Sequence, residues 1–266
     1  MKIQTAKQLL KQNYIGVDIN YVLSEVLNLS YSNLNKITEI SDKDYKKCER
    51  VCKKNQSGVP LQKIFKRAHF YNRIFFVNNN VLTPRYETEL LCEEVLKNLK
   101  GTEKVLDVCS GSGAIILTIK AEQPNCDCYG LDISTKALNV AKKNAKTLNL
   151  NVNFFKSDMF NRVRGKFDVI VSNPPYIESD VILTLNSEVK NFDPLISLDG
   201  GKDGLKFYRI IYNNAESFLN ENGKIYMEIG YNQAESIINM FEKKYKFVKI
   251  IKDYNNLDRI LVFERR

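Results

Sequence analysis

The sequence predicts an α/β fold: a mostly parallel sheet of seven strands with helices on both faces, preceded by a small helical domain. Three observations carry this. From Lys104 onward, short β-branched or aromatic runs alternate with segments of helical apolar spacing. A turn of small residues, Asp107-Val108-Cys109-Ser110-Gly111-Ser112-Gly113-Ala114, joins the first of those runs to the first of those helices. Residues 5 to 56, by contrast, show helical spacing, as in Val22, Leu23, Val26, Leu27 and Leu29.

In chain order, the helical region is punctuated by polar turns around Gly16-Val17-Asp18 and from Ser30 to Asn35. Phe70 to Val77 is short, aromatic and β-branched, with Asn78-Asn79-Asn80 behind it, which predicts a strand or hairpin. Pro84 stops it, and Glu87 to Leu99 resumes helical spacing. Strands then follow at 104–109, 126–131, 152–155, 167–172, 224–229, 247–251 and 259–263. Helices fall at 114–121, 134–147, 205–219 and 233–241. The last two strands are separated only by Lys252 to Asp258, too short for a helical crossover, so they should run antiparallel. The predicted domains are 1–66 (helical), 67–85 (linker or hairpin) and 86–266 (α/β).

A chain of 266 residues makes one to two domains and buries a substantial core. Apolar residues at 44% and charged residues at 27% exclude a disordered or collagen-like chain. The longest apolar stretch, Ala114 to Ile119, is interrupted by Thr118 and falls far short of the ~20 residues of a membrane helix. The first residues, Met1-Lys2-Ile3-Gln4-Thr5-Ala6-Lys7-Gln8, return to charge before a leader's apolar run forms, so a cytoplasmic location is expected. Cys48, Cys52, Cys92, Cys109, Cys126 and Cys128 read as reduced thiols. No pair has the two-residue gap of a structural zinc site, and no metal is expected.

The net charge of +9 is uneven. Met1 to Arg85 holds 15 basic and 6 acidic residues, and the remainder is balanced at 25 and 25. The excess is densest at Lys43, Lys46, Lys47, Arg50, Lys53 and Lys54. It is either a docking patch for an acidic partner or nucleic acid, or a solvated lysine face.

Two segments carry the chemistry. The turn after the first strand lets a ligand approach the backbone and the amides of a helix start. The second strand ends in Asp132, 21 residues after Gly111, where a carboxylate can accept both hydroxyls of a ribose. A dinucleotide fingerprint would need a small residue where Ile116 stands. At the end of the fourth strand stands Ser172-Asn173-Pro174-Pro175-Tyr176-Ile177. A planar amide or arylamine nitrogen is a poor nucleophile until its hydrogens are held and its lone pair is aimed. The Asn173 side-chain carbonyl and the Pro174 backbone carbonyl are two acceptors for its N–H bonds. The prolines fix the geometry, and Tyr176 can stack on the flat group.

The acid-x-x-x-Gly-x-Gly of Asp107, Gly111 and Gly113, followed by Asp132, resembles the S-adenosylmethionine-dependent methyltransferases. In that superfamily an acid after the third strand meets the adenine amino group and an apolar neighbour packs on the ring, which points to Asp158 and Met159. The tetrapeptide Asn173 to Tyr176 is similar to that of the amino-group methyltransferases, which act on adenine N6, guanine N2 or glutamine amides.

Further segments narrow this to a resemblance to the peptide chain release factor glutamine methyltransferases. They are Gly58-Val59-Pro60-Leu61-Gln62, Val81 to Glu89, Leu131-Asp132-Ile133-Ser134, Asp199-Gly200-Gly201-Lys202-Asp203-Gly204-Leu205, Glu228-Ile229-Gly230 and Gln233. The chain departs from the family at Cys109, usually Gly, at Tyr86, usually Pro, at Thr83, usually Ile, and at Lys63 to Lys66, usually Tyr-Ile-x-Gly. The resemblance implies a Rossmann-like class I methyltransferase fold with a hairpin linker. It implies S-adenosyl-L-methionine held by Asp107, Cys109, Ser110, Gly111, Ser112, Gly113, Asp132, Asp158, Met159 and Asn173. It also implies catalysis by Asn173, Pro174, Pro175 and Tyr176 on the Gln of the Gly-Gly-Gln loop of class I release factors, which the N-terminal helices help to dock. Arg85 and Glu87 either brace the linker near the cofactor or form a structural salt bridge. The enzyme is expected to be a monomer without a nucleic-acid substrate. The alternatives are a DNA adenine or ribosomal RNA guanine methyltransferase and a non-catalytic binding protein. A base-flipping enzyme would need a target-recognition region, and after the fourth strand only the end of the fold remains.

Overall fold

The computed structural model describes residues 1–185 and 187–266, without the side chains of 187–189. Two hairpin strands, β1 (Arg67–Phe70) and β2 (Arg73–Phe76), precede helix α6 (Tyr86–Asn98). Five helices come before them: α1 (Ile3–Asn13), α2 (Ile19–Leu27), α3 (Tyr31–Leu34), α4 (Asp42–Gln56) and α5 (Leu61–Phe65). The α/β part runs β3 (Lys104–Val108), α7 (Ala114–Glu122), β4 (Asp127–Asp132), α8 (Thr135–Thr147), β5 (Asn153–Lys156) and β6 (Phe167–Ser172). Then come α9 (Ser179–Ile182), α10 (Ser187–Phe192), α11 (Lys206–Phe218), β7 (Leu219–Glu228), α12 (Ala234–Phe241), β8 (Tyr245–Lys252) and β9 (Asp258–Arg265).

The main sheet has seven strands in the order β5-β4-β3-β6-β7-β9-β8. Strands β3 to β7 pair in parallel, and β9 lies antiparallel between β7 and β8. This is the predicted architecture, with the final pair antiparallel as its short connection requires. Alternation along each strand divides the core between the two faces. Leu106, Val108, Ile170, Ile225, Met227 and Leu261 join one cluster, with Tyr208 and Ile211 of α11 and Ile237 and Phe241 of α12. Val105, Val169, Val171, Tyr226, Ile260 and Val262 join the other, with Leu91 and Val95 of α6 and Ile116 and Ile119 of α7. Both faces are apolar because both are covered.

The hairpin packs into this body. Phe70 and Phe75 enter the α6–α7 side of the core. Ala68, Val77 and Val81 pack on Ala137 and Val140 of α8. By backbone contacts the chain divides into two units, Met1–Arg67 with Ser187–Phe192, and Ala68–Asn186 with Asp193–Arg266. In the helical unit, Ala6 and Leu10 of α1, Val22 and Leu23 of α2, and Cys48 and Cys52 of α4 close a separate core. Its helices start as their sequence demands: Asp18 accepts the Tyr21 amide at 3.0 Å and Ser41 that of Asp44 at 3.1 Å. The short helix α3 forms where the sequence predicted only a turn. Lys43, Lys46, Lys47, Lys53 and Lys54 are all exposed. No helix among the described residues is long and apolar enough to cross a membrane.

Candidate active site

The strand order reverses between β3 and β6, and open α/β sheets take their ligands at the carboxyl ends of strands beside such a point. A cavity of about 300 Å³ opens there. Its wall draws Cys109 and Gly111 from the end of β3, Asp132 from β4, Asp158 and Met159 from beyond β5, and Asn173 and Pro175 from beyond β6. Asp107, Ser110, Ser112, Gly113, Pro174 and Tyr176 do not line it.

The turn after β3 winds through left-handed backbone at Cys109 (φ 65°), Gly111 (φ 54°) and Gly113 (φ 79°). A Cβ at Gly113 would come within 3.1 Å of Leu117 and 3.2 Å of Ala141 and Phe154, so both the positive φ and the tight surroundings favour glycine there. Cys109 occupies the same region of backbone with a side chain, at a cost of about 1–2 kcal/mol. Its Sγ lies 3.8 Å from the Met159 sulfur. Burial, with Asp132 and Asp107 nearby, pushes the thiol well up, so it remains protonated and unreactive.

Asp132 closes the turn. Its Oδ2 accepts the Gly111 amide at 2.9 Å and its Oδ1 the Ser134 amide at 2.8 Å. Burial raises its pKa, and the amides of Ser134, Gly111 and Ile133 pull it back down. Each carboxylate oxygen keeps a further lone pair for a ligand. Asp107 in β3 is fully buried, and neither carboxylate oxygen has a hydrogen-bond partner of good geometry among the described residues. The Ser110 hydroxyl nearby donates instead to the Asp107 peptide carbonyl at 3.0 Å. Burial above all pushes Asp107 up to about 8, with Ser110 opposing and the Asp132 charge adding. Asp158 is exposed and its side chain caps no helix, which leaves its carboxylate available.

One side chain of α8 ties the turn to the hairpin. Asn144 donates to the Ser112 carbonyl at 2.9 Å, donates to the Phe76 carbonyl at 3.1 Å and accepts the Phe76 amide at 2.7 Å.

Asn173 follows β6 directly. Its Nδ2 donates to the Thr88 hydroxyl oxygen at 3.1 Å, which leaves Oδ1 without a partner among the described residues. The Thr88 hydroxyl in turn donates to Glu228 Oε2 at 2.6 Å. Tyr176 turns away from the cavity: its hydroxyl donates to Glu228 Oε1 at 3.3 Å. Its backbone carbonyl accepts Gln233 Nε2 at 2.9 Å. Gly204 lies so close to that carbonyl that any Cβ would collide with it, a contact that accounts for glycine in the Asp203-Gly204-Leu205 run. Burial raises Glu228, opposed by Thr88, Arg259 and Tyr176.

Other wall residues were not read from the sequence: Leu82 after the hairpin, Ile133 after Asp132, Ile196, and Lys206, Phe207 and Ile210 on the first turns of α11. Apolar residues directly following recognised motifs were the available signal. Arg85 does form a salt bridge, at 3.0 Å to Asp193. Asp193 also accepts the Thr83 amide and hydroxyl at 3.2 Å, a bond that Ile at this position could not donate from its side chain. These bonds tie the stretch before α6 to the residue preceding Pro194, itself on the cavity wall.

Residues 86–191 match the family model described as the methyltransferase small domain. Among solved structures, a methyltransferase from Pyrococcus furiosus shares the fold, with a TM-score of 0.59 at 21% identity over 79% of this chain and 98% of that one. The release factor glutamine methyltransferase of Agrobacterium fabrum is 34% identical over 94% of this chain and 90% of its own length. That of Thermodesulfovibrio yellowstonii is 38% identical over 85% of this chain and 84% of its own. Matches of this length run through the helical unit, the hairpin and the strand ends that build the cavity, so the chain belongs to the release factor glutamine methyltransferase family.

Proposed function

We propose that this chain transfers a methyl group from S-adenosyl-L-methionine to the side-chain amide nitrogen of the Gln in the Gly-Gly-Gln loop of class I peptide chain release factors. The relatives' names support the substrate. The observation that carries the chemistry is Asn173: its Nδ2 is engaged, its Oδ1 has no partner among the described residues, and it borders a cavity whose wall also carries Asp132 and Asp158.

The residues present fit the cofactor. A sulfonium and an ammonium are cations, and the cavity wall carries the carboxylates of Asp132 and Asp158. Asp132 would take the ribose hydroxyls, Asp158 the adenine amino group, and Met159 and Ile133 the faces of the ring. When bound, the cofactor supplies an electrophilic methyl group. The protein supplies position. Asn173 Oδ1 and the Pro174 carbonyl, which takes no hydrogen bond among the described residues, accept the two N–H bonds of the substrate amide. That grip withdraws the hydrogens to one side and aims the nitrogen lone pair at the cavity. Pro174 and Pro175 hold both acceptors in register. Tyr176 contributes through its anchored backbone and the Glu228 bond.

Docking by the N-terminal helices, action as a monomer and a cytoplasmic location, where release factors work, belong to the same proposal. The test offers labelled methyl donor to purified release factor, duplex DNA and ribosomal RNA in parallel. Label on the release factor alone, lowered about 10²-fold or more by Asn173→Ala while cofactor affinity changes little, is the expected result. Label on either nucleic acid instead refutes it.

A further inference from the structure

An asparagine can serve this chemistry only if its carbonyl, and not its NH2, meets the acceptor. Nothing in the residue itself decides this, because the two ends of the amide have nearly the same shape. A chain of hydrogen bonds behind Asn173 decides it. Glu228, the last residue of β7, is 2% exposed and offers only acceptors when ionised. Its Oε2 takes the Thr88 hydroxyl proton at 2.6 Å. With that proton committed, the Thr88 oxygen can only accept along its remaining direction, and it faces Asn173 Nδ2 at 3.1 Å. The NH2 end is thereby drawn toward α6 and the carbonyl end left for the cavity. The Tyr176 hydroxyl, donating to Oε1 at 3.3 Å, and the Tyr208 hydroxyl, donating to the Glu228 carbonyl at 2.8 Å, hold Glu228 in place.

We infer that Thr88 and Glu228 are positioning residues for methyl transfer: a directed relay, Asn173 to Thr88 to Glu228, selects which end of the Asn173 amide is presented to the acceptor. The inference deepens the proposed function and rests on it. Neither residue touches the cavity. The effect of Thr88 should therefore pass through Asn173, whereas Glu228 also acts on Tyr176 through its hydroxyl.

The test is a double-mutant cycle read in single turnovers, with cofactor affinity and thermal stability measured on each variant. Thr88→Val keeps the shape and removes the relay. Turnover should fall roughly 5- to 50-fold, the orientational preference that one lost hydrogen bond gives, with cofactor affinity and acceptor KM within about twofold of the parent. Thr88→Ser should restore turnover. In an Asn173→Ala background, Thr88→Val should cost nothing more, because there is no amide left to orient. If Thr88→Val does not fold, Glu228→Gln replaces it in the same cycle. Gln can offer an NH2 to Thr88 and reverse the relay, so partial loss of turnover is expected; the share carried by Asn173 vanishes with Asn173→Ala, and the share carried by the Tyr176 bond, read separately from Tyr176→Phe, remains. Undiminished turnover in both variants, or losses that multiply in full in the double variant, overturns the relay. Failure of the parent itself on release factor, with activity on another acceptor, would instead overturn the proposed substrate, and the cycle would then be run on that acceptor.

Discussion

The Gly111 amide and the Asp132 carboxylate lie 2.9 Å apart across a sequence gap of 21 residues, so the acid at the end of β4 shapes the turn after β3 before any ligand arrives. The other Asp132 oxygen is held by the Ser134 amide at 2.8 Å. Asp132→Ala should therefore weaken S-adenosyl-L-methionine binding by roughly 1–3 kcal/mol, through the lost ribose contact and a loosened turn together. Asp132→Asn should be nearly as damaging, since its NH2 must face one of two amide donors. Titration calorimetry of both variants checks this; full affinity in either removes Asp132 from the site.

Asp107 predicts a pH dependence of stability in the ligand-free protein. Its carboxyl is pushed up to about 8 from 3.8 by burial, so the folded chain holds its proton more tightly than the unfolded chain does. The stability it contributes is complete below about pH 4 and is lost as pH rises toward pH 8. Asp107→Asn keeps the shape and cannot titrate, so its denaturation midpoint should vary less across that range and exceed the parent's at pH 8. Parallel pH profiles for variant and parent would show the carboxyl to be ionised throughout.

Much of this site could be read from the sequence because its parts are local. Asp107 to Ala114 and Ser172 to Ile177 are each a strand end and the turn that follows it, and the alternation around them placed both in a mostly parallel sheet, though not their order in it. The contacts that brace these parts are not local. Thr88 meets Glu228 across 140 positions and Thr83 meets Asp193 across 110, and neither spacing corresponds to any period of helix or strand. Residues 179–185 and 187–198 gave no pattern either, and they include α9, α10 and a short 3₁₀ turn at Leu195–Ser197 that carries Ile196 to the cavity wall.

Cys109, where the resemblance leads one to expect glycine, has φ at 65°. Cys109→Gly should change stability by no more than about 1 kcal/mol, because relief of the left-handed backbone offsets the lost packing on Met159 and the freer unfolded chain. Cys109→Val should cost at least about 2 kcal/mol, a branched Cβ being least tolerated there. Urea unfolding of the three proteins gives the comparison. A valine variant as stable as the parent would mean that the turn readily changes conformation.

The exposed lysines of α4 should act in acceptor docking. Replacing Lys43, Lys46, Lys47, Lys53 and Lys54 by Gln should raise the apparent KM for the release factor at low salt and flatten its salt dependence. Screening over a Debye length of ~8–10 Å removes the same attraction from the parent at higher ionic strength. Cofactor affinity should not change. Identical salt profiles would leave these residues as a solvated face.

Asn144 spends its whole side-chain amide on two segments, the Phe76 backbone of the hairpin and the Ser112 carbonyl of the turn. It works as a rivet. A ligand that stills the turn stills the hairpin as well, so slowed deuterium uptake at the Phe76 amide would register cofactor occupancy at a position outside the cavity wall.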